Sequence, residues 1–293
     1  MNDLMKYESA VAIGCFDGVH RGHKAVLQAA SAWAEAHDAL ALAYAFEAPP
    51  RRLFGKETPR LMTAVQKKAA LFAAGIHEVR FVPFTAALAA LSPADFVRDE
   101  LIETHHAVAV FCGEDFRFGK DAAGDVAALR ALLATYGAEL FVIPAAEENG
   151  EKISSTAIRT ALTEGDAAKA ARLLGRPYAL CGKVVRGAGI GGKYGMPTAN
   201  LEAEKDVLLP HDGVYLSAVT IDGVSYPALT NVGMRPTVGG ESRTVESLLR
   251  GFEGDLYGHE ITVSFVRFLR PERKFASAEE LAAQVKADFE ALA

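Results

Sequence analysis

Along the first half of the chain, runs of consecutive apolar residues alternate with stretches whose apolar positions recur every three or four residues. Ala10–Gly14, Ala39–Phe46, Glu78–Val82, Ala107–Cys112 and Glu139–Ile143 read as buried strands. Between them, His23–His37, Val65–Ala74, Ser92–Ile102 and Ala123–Tyr136 read as helices, the third opening on Ser92-Pro93 with proline at the first helical position. Regular alternation of strand and helix predicts a doubly wound parallel α/β sheet. After Pro144 the texture changes. Ser154–Gly165 and Asp166–Leu174 read as short helices carrying little of a core, and Gly175-Arg176-Pro177 stops the helical pattern. From Tyr178 onward short apolar alternations are separated by turn residues. Gly213–Ile221, Asp222-Gly223 and Val224–Leu229 form a predicted hairpin with a favoured two-residue turn. Val245–Phe252 and Glu260–Leu269 read as further strands, and a helix begins at Ala278 behind the capping box of Ser277 and Glu280. The second half is therefore expected to be a small antiparallel β-barrel or sandwich closed by a C-terminal helix. The fold class is α/β plus β, with domains at 1–176 and 177–293.

Composition narrows what such a chain can do. It has 293 residues, 50% of them hydrophobic and 23% charged, enough for two domains with sizeable cores. A formal charge of −6 argues against nucleic acid as the main partner but does not exclude small anions, which respond to local fields. Cys15, Cys112 and Cys181 are scattered and lack metal-ligand spacing, which fits a reducing compartment. The N-terminal MNDLMKYESA has no apolar core of a secretory signal, and no apolar run is long enough to span a bilayer. The expectation is a cytoplasmic protein with no nucleic-acid or membrane partner, with a weak or transient homo-oligomer left open.

The densest chemistry lies between the first strand and the first helix, in Gly14-Cys15-Phe16-Asp17-Gly18-Val19-His20-Arg21-Gly22-His23. Ligands of open α/β sheets bind beyond the carboxyl ends of the strands, where helix N-termini favour phosphate. Gly14, Gly18 and Gly22 let the backbone approach it, with Phe16 and Asp17 in the same turn. His20 and His23, three residues apart at a helix start, can donate to the same phosphate oxygens. Donors aimed at charge that develops in the transition state are the main lever of nucleotidyl transfer. A second helix start carries Ser154, Ser155 and Thr156, hydroxyls suited to capping or to phosphate, and Arg159 one turn in could grip pyrophosphate bidentately.

The C-terminal half has its own candidate. Gly187, Gly189, Gly191 and Gly195 surround Lys193 in a loop of the kind that cradles phosphate, and the loop runs into Pro197-Thr198-Ala199-Asn200. Thr198 and Asn200 stand at alternate positions and point the same way on an extended segment. A hydroxyl and an amide carbonyl suit Mg²⁺ that also binds ATP phosphates.

These motifs carry a resemblance. Gly-x-Phe-Asp-Gly-x-His-x-Gly-His resembles the HxGH nucleotidylyltransferases, in the form found in bacterial bifunctional riboflavin kinase/FAD synthetases. Gly113-Glu114-Asp115-Phe116-Arg117-Phe118-Gly119 resembles that family's segment that contacts nucleotide and flavin, which implies Gly113, Asp115, Phe116 and Phe118 as contacts. Ile153–Arg159 resembles its ISSTxIR motif, and Asn231–Thr237 its NxGxRPT motif. The segments 254–258 and 269–275 match as well. The resemblance spans roughly residues 8–290 and implies Glu246 as the kinase general base, with Asn231 and Arg270 as flavin contacts. It further implies riboflavin, FMN, FAD and ATP as ligands, ATP as co-substrate and Mg²⁺ as cofactor.

The chain departs from the family pattern at four positions. Pro49 replaces a histidine after the second strand, and Gly192 an arginine of the glycine-rich loop. Leu248 and Gly251 replace a histidine and an aspartate downstream of Glu246. Three readings stay open on these grounds: a bifunctional enzyme, an FMN adenylyltransferase with a degenerate flavin-binding barrel, and a flavin- or nucleotide-binding regulator with little turnover.

Overall fold

The computed structural model describes residues 7–47, 58–186, 198–237 and 240–290. The chain forms two compact units, one of residues up to Arg60 together with Ala64–Ser154, the other of Leu61–Thr63 together with Ser155 onward.

The first unit is a parallel sheet in the order β3-β2-β1-β4-β5, made of β1 (Ser9–Gly14), β2 (Leu40–Phe46), β3 (Glu78–Val82), β4 (Ala107–Gly113) and β5 (Glu139–Ile143). The expected strands are all present, displaced by a residue at most. Because side chains alternate across a strand, Val11, Ile13, Leu42, Tyr44, Val110 and Cys112 share one face and form a core with Phe96, Val97, Leu101, Leu129 and Leu133. The other face carries small residues such as Ala10, Ala12, Ala41 and Ala43, and α1 (Arg21–Ala36) packs across β1, β2 and β4. Its buried Val26, Leu27, Ala30 and Ala34 recur at the helical period. Helix α2 (Ala64–Ala73) follows the pattern in outline. The short helix α3 (Ala86–Ala90), capped by Thr85, is an addition that the pattern does not predict.

Two expected helices are corrected. After the Ser92 cap, α4 (Pro93–Asp95) gives way to a π-helix at Phe96–Thr104, where a uniform α-helix was predicted. Helix α5 (Val126–Ala134) starts three residues later than its pattern suggests, because Asp125 accepts from the Ala128 N–H and sets the cap there. A small hairpin, β6 (Glu147–Glu148) and β7 (Glu151–Lys152), closes the unit.

The second unit opens with α6 (Ser155–Thr163) and α7 (Ala167–Leu174). These helices carry much more core than their composition suggests. Ile158, Ala161, Leu162, Ala167, Ala170, Leu173 and Leu174 are all buried, so the small alanines are contact points and not neutral filler. Helix α7 is capped by Asp166 and ended by Gly175 at φ 70°.

Beyond α7 the strands close into a barrel, which settles the choice between barrel and sandwich. They are β8 (Tyr178–Val185), β9 (Ala199–Ala203), β10 (Gly213–Ile221), β11 (Val224–Thr237), β12 (Gly240–Leu249) and β13 (Glu260–Arg270), in the order β10-β11-β12-β9-β8-β13. The β10–β11 turn has φ 48° at Asp222 and 82° at Gly223, the two positive values of a type I′ turn. Strand β12 stops at Leu249, short of the expected Phe252, because the chain turns through Gly251 at φ 78°. Tyr178, Tyr215 and Phe265 fill the interior, joined by a buried hydroxyl row in which Thr230 lies 2.7 Å from both Ser217 and Ser247. Helix α8 (Ala278–Glu290) comes last. At its start Glu280 N–H donates to Ser277 Oγ at 3.3 Å, while the Glu280 carboxylate accepts from Ala276, one residue before the expected partner.

Candidate functional sites

In the sheet unit, β1 is flanked by β2 on one side and β4 on the other, so the strand order reverses there. Ligand crevices of open α/β sheets lie at such a point. The Gly14–His23 turn leaves β1 and the Gly113–Gly119 segment leaves β4, so both predicted contact segments border the crevice. The turn is strained. Phe16 and Val19 adopt φ 50° and 40°, in the region that disfavours side chains and β-branched ones most. Their side chains are fully buried and hold the strain, while Gly18 takes φ 84° without a steric penalty.

His20 is the residue at the head of α1, and its Nδ1 accepts the His23 N–H at 3.3 Å. A neutral His20 therefore carries its proton on Nε2, the atom that can donate to a ligand. The two imidazoles stack at 3.6 Å, and Phe16 meets His23 edge-on at 5.4 Å. Burial, helped by the charges of His20 and Lys67, pushes His23 well below the ordinary histidine range. Its Nδ1 is buried without a hydrogen-bond partner.

Lys67, on α2, is also buried. Its ammonium donates to the carbonyls of Cys15 at 3.1 Å, Phe46 at 2.9 Å and Glu47 at 3.4 Å. No motif marked this residue. The signal was in the pattern: Lys67 lies four residues before buried Leu71, on the inward face of its helix.

Around the crevice, Asp115 is exposed and paired with Lys152 at 2.9 Å, and Arg21 pairs with Glu148. Phe116 stacks on Phe118 at 5.7 Å, and the Phe118 ring is buried against Phe96. Of the ISSTxIR residues, Ser155, Thr156 and Arg159 lie on α6 in the second unit, and Ser154 directly precedes it. Pro49, Gly187, Gly189, Gly191, Gly192, Lys193, Gly195 and Pro197 lie outside the described residues.

In the barrel, antiparallel register does the assembling. Glu246 on β12 stands opposite Asn231 on β11 and opposite Asn200 on β9. The Asn200 and Asn231 Oδ1 atoms are both buried without a hydrogen-bond partner. Asn231 Nδ2 donates to Glu272 at 2.6 Å. One cavity of about 230 Å³ is lined by Val214, Leu229, Phe275, Leu281 and Val285 together with Asn231 and Glu246. A second, of about 490 Å³, is lined by Val184, Phe252, Asp255 and Tyr257 among others. Thr198 and Leu248 line both. Arg270 borders the first, gripped by Asp288 at 2.8 Å and lying over the Phe275 ring.

Residues 3–157 match the family model described as FAD synthetase, and residues 174–293 match the one described as riboflavin kinase. A bifunctional riboflavin kinase/FMN adenylyltransferase of Pseudomonas fluorescens is 38% identical over 94% of this chain and 89% of its own length. The Escherichia coli K12 protein of the same description is 37% identical over 95% of this chain and 90% of its own length. The chain belongs to the bifunctional riboflavin kinase/FMN adenylyltransferase family.

A solved structure described as a macrolide-efflux protein from Streptococcus pneumoniae superposes with a TM-score of 0.89, at 30% identity and 98% coverage of this chain and 95% of that one. That description applies to the streptococcal protein. Among the described residues of this family member, no helix is long and apolar enough to cross a membrane.

Within the family frame, the departures at Leu248 and Gly251 have distinct settings. Leu248 lies at the junction of the two barrel cavities and adds an apolar wall to both. Gly251 lies in the turn beyond β12, where an added Cβ would meet nothing within 4 Å.

Proposed function

We propose that this chain catalyses both reactions of its family. The barrel phosphorylates riboflavin to FMN with ATP, and the sheet unit joins AMP from a second ATP to FMN, releasing pyrophosphate. The functional boundary is placed at 176/177, a reading supported by the riboflavin kinase match beginning at residue 174. What supports the bifunctional reading is that one unit carries the strained Gly14–His23 turn, while the other carries two cavities meeting at Thr198 and Leu248.

In the kinase reaction the apolar cavity takes the flavin ring. Asn231 Oδ1, buried and unpartnered, offers an acceptor for a ring N–H. Arg270, fixed by Asp288, stiffens the cavity wall. Glu246 takes the proton of the ribityl 5′-hydroxyl as that oxygen attacks the γ-phosphorus of ATP in the neighbouring cavity, and ADP leaves. Asn200 Oδ1 fits a hard cation, since it is a buried amide oxygen with nothing else to bind, and Thr198 adds a hydroxyl two residues away. Mg²⁺ held by Thr198 and Asn200 would offset charge on the ATP phosphates. The loop of Gly187, Gly189, Gly191, Lys193, Gly195 and Pro197 would bind ATP, on the strength of its motif.

In the adenylyl transfer the FMN phosphate attacks the α-phosphorus of ATP, so no protein nucleophile is required. Backbone at Gly14, Phe16, Asp17, Gly18 and Gly22 approaches the phosphates, and His20 Nε2 and His23 donate to their oxygens. On the strength of their motifs alone, Ser154, Ser155, Thr156 and Arg159 would serve the pyrophosphate, and Gly113, Asp115 and Phe116 the FMN and nucleotide. Phe118, buried against Phe96, would support that segment from behind.

The test is to supply ATP and Mg²⁺ with either riboflavin or FMN and to separate the flavins by chromatography. FMN and FAD from riboflavin are expected. FAD from FMN alone would favour the single-activity reading, and bound flavin without product would favour a regulator.

A further inference from the structure

Lys67 is 2% exposed, and its ammonium has three protons and no acceptor. Three backbone carbonyls receive those protons: that of Cys15, just beyond β1, and those of Phe46 and Glu47, at the end of β2 and just beyond it. One side chain therefore ties together the exits of two adjacent parallel strands. Cys15 is followed at once by the strained segment Phe16–Val19. Buried charge is tolerated only where it is hydrogen-bonded and balanced. Burial pushes the Lys67 ammonium below the ordinary lysine value, Cys15, Asp17 and Glu47 oppose that, and Arg60 adds to it.

We propose that Lys67 is a positioning residue for adenylyl transfer, holding the Phe16–Gly18 turn in its phosphate-binding shape through the carbonyls of Cys15, Phe46 and Glu47. With its protons occupied by carbonyls it donates none to phosphate. It acts through the turn, and through its charge on His23, which faces His20, the Phe16 ring and Lys67. The inference rests on the adenylyl-transfer reading, whose own failure is distinguishable because the unsubstituted chain would then make no FAD.

The experiment is Lys67→Met in the full chain, which keeps the length of the side chain and removes its charge and donors. Riboflavin phosphorylation serves as an internal reference. Trp33, the chain's single tryptophan, packs against Phe111 and Phe141 in the sheet unit, so its emission reports whether that unit is folded. The kcat/KM of FMN adenylylation for ATP should fall about 100-fold, the scale of a displaced reacting geometry. Riboflavin phosphorylation and Trp33 emission should stay unchanged. The limb of the adenylylation pH profile that belongs to His23 should move to higher pH, because a neighbouring positive charge has gone. Lys67→Gln, with two amide protons and no charge, should lose less rate and show the same pH displacement. Unchanged adenylylation in a folded variant overturns the proposal. So does a rate loss with an unmoved pH profile, or a loss that follows the native Trp33 emission away in both variants, which would make Lys67 a stability residue only.

Discussion

At the sheet's switch point the chain bends through positive φ at Phe16, Gly18 and Val19, whereas in the barrel Asn231, Glu246 and Asn200 align because antiparallel register sets them side by side. The first site is shaped by strain and a capping imidazole within the turn itself, with one buried lysine tied in from α2. The second is shaped by pairing between distant strands. The polar groups differ correspondingly. At the turn, His20 Nδ1 and the Lys67 ammonium have protein partners and His23 Nδ1 is buried without one, while in the barrel the Asn200 and Asn231 amide oxygens are both buried without any. A buried unpaired oxygen is destabilising until something binds it. On the proposed function, the turn is thus held largely by the protein before a phosphate arrives, whereas the barrel site would be completed by its ligand.

The strongest blow to this contrast would be evidence that the two sites share their chemistry. Glu246→Gln keeps the shape of the side chain and removes the proposed base. Formation of FMN from riboflavin should fall by about 100-fold to 10,000-fold, the usual range for a general base. Formation of FAD from supplied FMN should not change. His23→Ala should do the reverse, lowering FAD formation by about 100-fold to 1,000-fold, as loss of a preorganised donor does, with the kinase rate intact. Equal loss of both activities in either variant would end the two-site account.

How legible each region was in the sequence depends on the same contrast. The turn from Gly14 to His23 could be read because its chemistry is contiguous, and the strands behind it because parallel sheets bury both faces. Lys67 went unread: it serves the turn from a helix some fifty residues away, and its bonds go to backbone carbonyls that no motif records. In the barrel, Thr198 and Asn200 could be placed on one side of a segment by alternation alone. That Glu246 would stand between Asn200 and Asn231 depends on register, which local pattern does not specify. Helices α6 and α7 bury more than their pattern predicts, because alanines supply much of their inward face. The π-helix at Phe96–Thr104 has no simple sequence signature at all.

A subtler probe addresses the claim that the barrel site awaits its ligand. Asn200→Ala removes one orphaned oxygen. The Mg²⁺ concentration for half-maximal FMN formation should rise about tenfold or more, by analogy with the tenfold to hundredfold losses seen when metal sites are weakened. Thermal unfolding of the ligand-free chain should be unchanged or shifted upward, since an unsatisfied buried group is gone. A clear fall in stability would mean that Asn200 is already satisfied, and the contrast with the phosphate turn would fail.

The smallest expected effect concerns the turn itself. In the free protein His23 is held well below the ordinary histidine value by burial first and then by the charges of His20 and Lys67, so its imidazole is neutral at pH 7. An anionic triphosphate beside it favours the imidazolium and raises that value. The complex then binds more protons than the free protein, so ATP binding takes up protons and tightens as pH falls through the value in the complex. It levels off below the value in the free protein. Each unit of upward shift strengthens binding about tenfold. Because His20 and His23 stack at 3.6 Å, two adjacent imidazolium ions would repel, and the uptake belongs to the pair and should not exceed one proton between them. Titration calorimetry in two buffers of different ionisation enthalpy measures that uptake, and the same titration on His23→Ala subtracts the contribution of the kinase site. Uptake that survives the substitution undiminished, or release in its place, would show that the turn is not the neutral, prebuilt site that distinguishes it from the barrel.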